Sequence, residues 1–140
     1  MVTVKDEIEQ FKRDCRSMEY WTKKYIECNE RLEEIAIHLK GVSSPRTDGI
    51  KIENAGDPYK NGKIYWFYEE EQVIKERNEY LRNMTRVNST LMKITNHIDQ
   101  QIVRDLYIEK KNHELVAEKY HYASRMALYK HVNNVLKKII

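Results

Sequence analysis

The chain is poor in residues that bend or break helices: its 140 residues include four glycines and two prolines. That scarcity argues against a sheet protein of many short strands and tight turns. Cysteine is almost absent as well, with Cys15 and Cys28 the two in the chain. Both fall on one predicted helix, about 20 Å apart at 1.5 Å per residue, too far to bridge within a chain. Two reduced thiols are expected, an interchain disulfide stays open, and the spacing excludes a metal pair. No apolar run approaches the roughly 20 residues a membrane span needs. The start MVTVKDEIEQ lacks the basic region and apolar block of a signal peptide. A soluble cytoplasmic protein without a membrane partner is therefore expected.

The chemistry of catalysis is missing too. His38, His97, His113, His121 and His131 do not have the spacing of HExxH or of a zinc site with cysteine. There is no glycine-rich phosphate loop and no defensible Ser, His and Asp set. The expectation is a non-enzyme without cofactor or metal. Glu69, Glu70 and Glu71 read as the early turns of a helix, where acidic residues favour the helix dipole. His131 reads as packed or partly exposed. The last absence is local: no Asp or Glu follows Glu118, while Lys119, Arg125, Lys130, Lys137 and Lys138 do. The net charge of +3 says little by itself, but this concentration of positive charge at the C-terminal end suits a polyanion.

What is present is helical patterning, with 34% charged residues and ten tyrosines. From Val4 to Leu39, steps of four and three alternate through Val4, Ile8, Phe11, Cys15, Met18, Thr22, Tyr25, Asn29, Leu32, Ala36 and Leu39, a heptad seam on one predicted helix. Asn29 either fixes register inside that seam or sits at its edge. Gly41, after His38 and Lys40, marks the expected helix end. Residues 41–63 hold both prolines and the runs SSPRTDG, NAGDP and YKNG, and read as a long loop, either a linker or an ordered binding loop, with Ile50, Lys51 and Ile52 as a short extended piece. A second long helix follows, with Val73, Arg77, Tyr80, Met84, Val87, Leu91, Ile94 and Ile98 as its seam. The cluster Tyr65, Trp66, Phe67, Tyr68 either plugs one end of the helix pair by packing on Trp21 or Tyr25, or forms a partner patch. Two long helices and one loop predict an antiparallel hairpin over 1–96, whose thin core needs the C-terminal helices or a second copy of the chain.

Three short helices are predicted over 97–140. Ile98, Ile102, Val103, Leu106 and Tyr107 form the first, ending at Lys110 and Lys111. Asn112 caps a second, about His113 to Tyr120, in which Ala117 is the small residue at a helix contact. A turn through His121, Tyr122 and Ala123 leads to Ser124 as N-cap of the last, with Leu128, Val132, Val135, Leu136 and Ile139 inward.

The string DLYIEKKNHELVAEKYHYASRMALYKHVNNVLKKI resembles region 4 of the sigma-70 family, in which LRY, a short linker, EEIAEELG and SRERV…ALKKL form a promoter-reading helix-turn-helix. Leu106 and Tyr107 match the first part; Val116, Ala117 and Glu118 the second; Ser124, Arg125 and Leu128 the third; Leu136, Lys137, Lys138 and Ile139 the end. The whole chain is similar to small phage-encoded transcriptional regulators of Gram-positive bacteria. It departs from the pattern at two places. His121 stands where the family has its turn glycine, and Ala117 to Ser124 is one residue longer, which predicts a wider turn.

The resulting expectation is an all-α fold, a coiled-coil-like antiparallel hairpin followed by a three-helix helix-turn-helix. The resemblance implies a sequence-specific regulator, a phage gene activator acting at promoters. Arg125, Tyr129, Lys130 and Asn133 are expected to face the major groove, Ser124 to meet a phosphate, and Lys119, Lys137 and Lys138 to hold the backbone. The expected partners are double-stranded DNA, RNA polymerase and a second copy through the hairpin. The alternatives are a module that binds polymerase or another regulator without reading DNA, and a small DNA-packaging subunit, against which the C-terminal placement of the reading helices argues.

Overall fold

Thr3 opens the first helix with a reciprocal cap. Its hydroxyl accepts the Asp6 amide at 3.1 Å while the Asp6 carboxylate accepts the Thr3 amide at 3.2 Å. In the computed structural model, which describes residues 2–42 and 62–140, this helix is α1 (Val4–Arg16), followed by α2 (Met18–Val42), α3 (Lys63–Leu91), α4 (His97–Val103), α5 (His113–Lys119) and α6 (Arg125–Ile139). The described residues are all-helical. The loop expected over 41–63, with its extended piece at Ile50 to Ile52, lies outside them between 43 and 61. No described helix is long and apolar enough to cross a membrane.

The single helix expected from Val4 to Leu39 is broken at Ser17, whose hydroxyl donates to the Arg13 carbonyl at 3.1 Å. A serine that bonds back to its own helix competes with the ladder and bends it. The seam changes phase there. Ile8, Phe11, Cys15 and Met18 are buried as expected and Leu32 is half-buried in register, but beyond the break Cys28 and Ile35 are buried and Trp21 half-buried, next to the expected Asn29, Ala36 and Thr22, of which Thr22 and Ala36 are exposed. Two successive steps of three, Cys15 to Met18 to Trp21, produce that slip. Asn29 is half-buried, at the edge of the shifted stripe. The helix also runs past Gly41 to Val42.

The seam of α3 follows the expectation through Val73, Val87 and Leu91, then stops short of Ile98. The Gln100 amide closes the helix end by donating to the carbonyls of Leu91 and Ile94 at 3.0 and 3.3 Å, which gives helix-end acceptors a partner. Asn96 then caps α4, and Ile98 is exposed. Over Arg104–Ile108 the backbone of α4 widens into a π-helical turn.

The chain divides into two compact units, and they do not follow the boundary expected at 96/97. One comprises Met1–Thr22 and Arg82–Ile140, the other Lys23–Leu81. In the first, Ile8, Phe11 and Cys15 of α1 and Val87 and Leu91 of α3 share one core with Ile102, Leu106, Val116, Leu128, Val132 and Leu136. The C-terminal helices thus take α1 as an additional wall, because their inward stripes present more apolar surface than three short helices bury among themselves.

In the second unit Cys28 and Ile35 of α2 bury against Val73 of α3. Arg31 pairs with Glu69 at 3.7 Å and His38 stacks on Trp66 at 4.0 Å, so partners on α3 recede as α2 advances. That order is antiparallel. Trp66 packs on the end of α2, under Arg31 and His38, rather than on Trp21 or Tyr25, because Tyr25 lies thirteen residues before His38 along a straight helix. Phe67 and Tyr68 remain exposed. Cys15 and Cys28 are both free and buried.

Candidate nucleic-acid interface

The C-terminal site is built from two caps and a turn. The Asn112 side chain accepts the Glu114 and Leu115 amides at 2.9 and 3.1 Å and starts α5. The helix ends in a Schellman motif: the Tyr122 amide donates to the Ala117 carbonyl at 2.8 Å and the His121 amide to the Glu118 carbonyl at 3.1 Å. Such an ending needs a left-handed residue, and His121 supplies it with φ of 65°. A side chain bearing a Cβ is less comfortable there than glycine. Ser124 then caps α6 by accepting the Ala127 amide at 3.2 Å.

Beneath the turn sits a carboxylate that the sequence reading did not single out. Asp105 has no exposed surface and lies in the π-helical turn, where it accepts from Tyr120 Oη at 2.8 Å, Gln101 Nε2 at 2.9 Å, Lys111 Nζ at 3.2 Å and Lys119 Nζ at 3.3 Å. Burial pushes its pKa up, but the hydrogen bonds from Gln101, Tyr120 and Lys111 outweigh that and hold it at about 2. This one group ties α4, the segment before α5, and the end of α5 together. The signal in the sequence was a lone acidic residue beside Ile102 and Leu106 on the inward face of an amphipathic stretch.

Two histidines fix α6 to its neighbours. His131 Nε2 meets Asp99 of α4 at 2.7 Å. His113 bridges the Tyr129 hydroxyl and the Leu106 carbonyl, the latter at 3.3 Å. Since a carbonyl only accepts, Nε2 of His113 donates to Leu106. On the opposite flank Lys12 of α1, itself buried, donates to Asn133 Oδ1 at 2.8 Å and lies over the Tyr107 ring at 5.4 Å, with Arg16 over the same ring at 5.5 Å. Burial pushes the Tyr107 phenol up to about 12.

The eight residues expected at the interface therefore separate. Leu128, Val132 and Leu136 are buried, and the opposite ridge carries Met126, Lys130, Asn134, Lys137 and Lys138, all exposed. Arg125 is exposed in the first turn. Arg125, Lys130, Lys137 and Lys138 make no ion pair among the described residues, whereas Lys119 is paired with Asp105. Tyr129 and Asn133 are half-buried and engaged by His113 and Lys12. Ser124 is exposed, with its oxygen used in the cap. Asn134, four residues after Lys130 and on the same ridge, was not in the expected set. Glu114 and Glu118 of α5 line a groove of about 510 Å³ with Arg125 and Met126, so that flank of the ridge is less inviting to phosphate.

A scan against protein-family models gave no match, and neither did the curated proteins or the solved structures.

Proposed function

We propose that the protein is a sequence-specific DNA-binding regulator, a promoter-acting protein of the phage type, whose reading element is α6. The observation that carries the proposal is the exposed ridge of Lys130, Lys137 and Lys138, with Arg125 exposed in the first turn, all without an ion pair among the described residues, on a helix whose other faces are held by packing and hydrogen bonds. Arg125 at the first turn has the fork for guanine, Lys130 and Asn134 carry donors that reach base edges, and Lys137 and Lys138 suit phosphates. The capped turn through His121 serves this reading by presenting the start of α6. Tyr129 and Asn133 act here as props that fix the helix, and their contribution to binding is indirect.

The experiment is selection of bound duplexes from a random pool, followed by titration of the enriched sequence at several salt concentrations. Four free cations correspond to a fall in log K against log salt with a slope of about −3 to −4. Failure to enrich any motif would refute the reading. A second reading, binding to RNA polymerase or another regulator without reading DNA, draws on the exposed Leu115 and Met126 beside Glu114 and Glu118. Recovery of polymerase by a protein that binds no duplex would favour it. The packaging reading requires a ring of many subunits, which light scattering distinguishes from a monomer or dimer.

A further inference from the structure

The second unit carries a mostly apolar stripe that its own helix pair leaves largely exposed, with Ile74 half-buried at its middle. On α3, Ile64, Phe67, Glu71, Ile74, Asn78 and Leu81 follow alternating steps of three and four, so they share one face about 100° around the helix from the seam of Trp66, Val73 and Tyr80. Ile64 is 61% exposed, Phe67 52% and Leu81 42%, and Tyr68 beside them is 59% exposed. The stripe is about 26 Å long at 1.5 Å per residue. Lone exposed apolar residues need no explanation, but apolar residues at four of six positions of one heptad face do.

We propose that a second copy of this chain covers this stripe, α3 against α3 in opposite directions. The stripe is self-complementary in that arrangement. A twofold axis beside Gln72 and Val73 brings Ile64 opposite Leu81 of the other copy, Phe67 opposite Asn78, and Glu71 opposite Ile74. The flanking positions match as well. Glu70 falls opposite the other copy's Arg77, and Tyr68 opposite its Lys75, each twice by symmetry. No like charges face each other across either flank between Tyr68 and Arg77. Arg77 donates to its neighbour Asn78 at 3.4 Å and, like Glu70 and Lys75, makes no ion pair among the described residues. The parallel arrangement fits less well: Glu70 then meets Lys75 of the other copy, but Glu71 is set against the other copy's Glu71 inside the stripe, a like-charge pair. The proposal rests on the second unit alone and stands whether or not α6 binds DNA.

Sedimentation equilibrium of the full chain tests it. The expected result is a reversible dimer. Glu70→Arg or Arg77→Glu alone turns two attractive pairs into two repulsive ones and weakens dimerisation by about tenfold, and the two changes together restore it. Phe67→Lys, at an exposed position, abolishes the dimer while helix content by circular dichroism is unchanged. A chain that stays monomeric throughout the micromolar range overturns the proposal. So does a dimer indifferent to the single reversals, or one that the double reversal fails to restore.

Discussion

The Tyr120 hydroxyl donates at 2.8 Å to an Asp105 carboxylate that has no exposed surface, and two lysine ammoniums reach the same carboxylate from outside. The Asp105 pKa falls from the usual 3.8 to about 2, so its contribution is fully present above about pH 4 and is lost as pH falls through about 2. The difference is worth about 2 kcal/mol. Asp105→Asn is expected to lower unfolding free energy by about that amount at neutral pH, with the gap to the unsubstituted protein closing between about pH 4 and 2. Urea titrations across that range read it, and a gap independent of pH would contradict the assignment.

His121 holds a left-handed backbone between α5 and α6, a conformation glycine adopts without a Cβ clash. His121→Gly is expected to raise stability by about 0.5–1 kcal/mol, because relief of the Cβ clash outweighs the added freedom of the unfolded chain. His121→Val, with a branched side chain, is expected to cost at least as much. Thermal unfolding of the two variants checks the sign of each change.

Asn133 and Lys130 are three residues apart on α6 but have different surroundings. Asn133 accepts from the buried Lys12, so Asn133→Ala removes an acceptor from a buried ammonium and is expected to cost about 1–3 kcal/mol of stability. Lys130→Ala is expected to leave stability within about 0.5 kcal/mol and to weaken DNA binding. Stability and affinity measured on both variants separate prop from reader. Equal loss of affinity at unchanged stability would place Asn133 in the interface itself.

Cys15 is fully buried, and burial first, then the neighbouring Asp14 charge, pushes its thiol up to about 12. It is expected to stay unreactive toward a thiol reagent at mildly alkaline pH until the protein unfolds. Rapid labelling of Cys15 in the native protein would show that the α1 packing opens readily.

Local signals were the legible ones. The caps Asn112 and Ser124, the turn through His121, and the inward stripe of Leu128, Val132 and Leu136 all depend on residues within one or two turns of each other, and the structure has them where the spacing put them. What the pattern did not carry was contact at long range. Asn133 looks like an outward-facing reader on a helical wheel, and only α1, whose Lys12 lies 121 positions earlier, makes it an internal acceptor. The break at Ser17 escaped because a single polar residue hardly disturbs a heptad count, although after it Cys28 and Ile35 are buried where the count put Asn29 and Ala36. Asp105 shows the same limit: its acidity is visible, while the four donors that make its burial tolerable arrive from three separate segments.

The measurement closest to the central claim is a mobility-shift titration of the selected duplex at fixed salt, comparing the protein with the Arg125→Ala, Lys130→Ala double variant. Both side chains are exposed and make no ion pair among the described residues, so the variant should fold as before and bind at least about tenfold more weakly, with a shallower salt dependence. Unchanged affinity in a variant that folds normally would contradict the assignment of α6 as the reading helix.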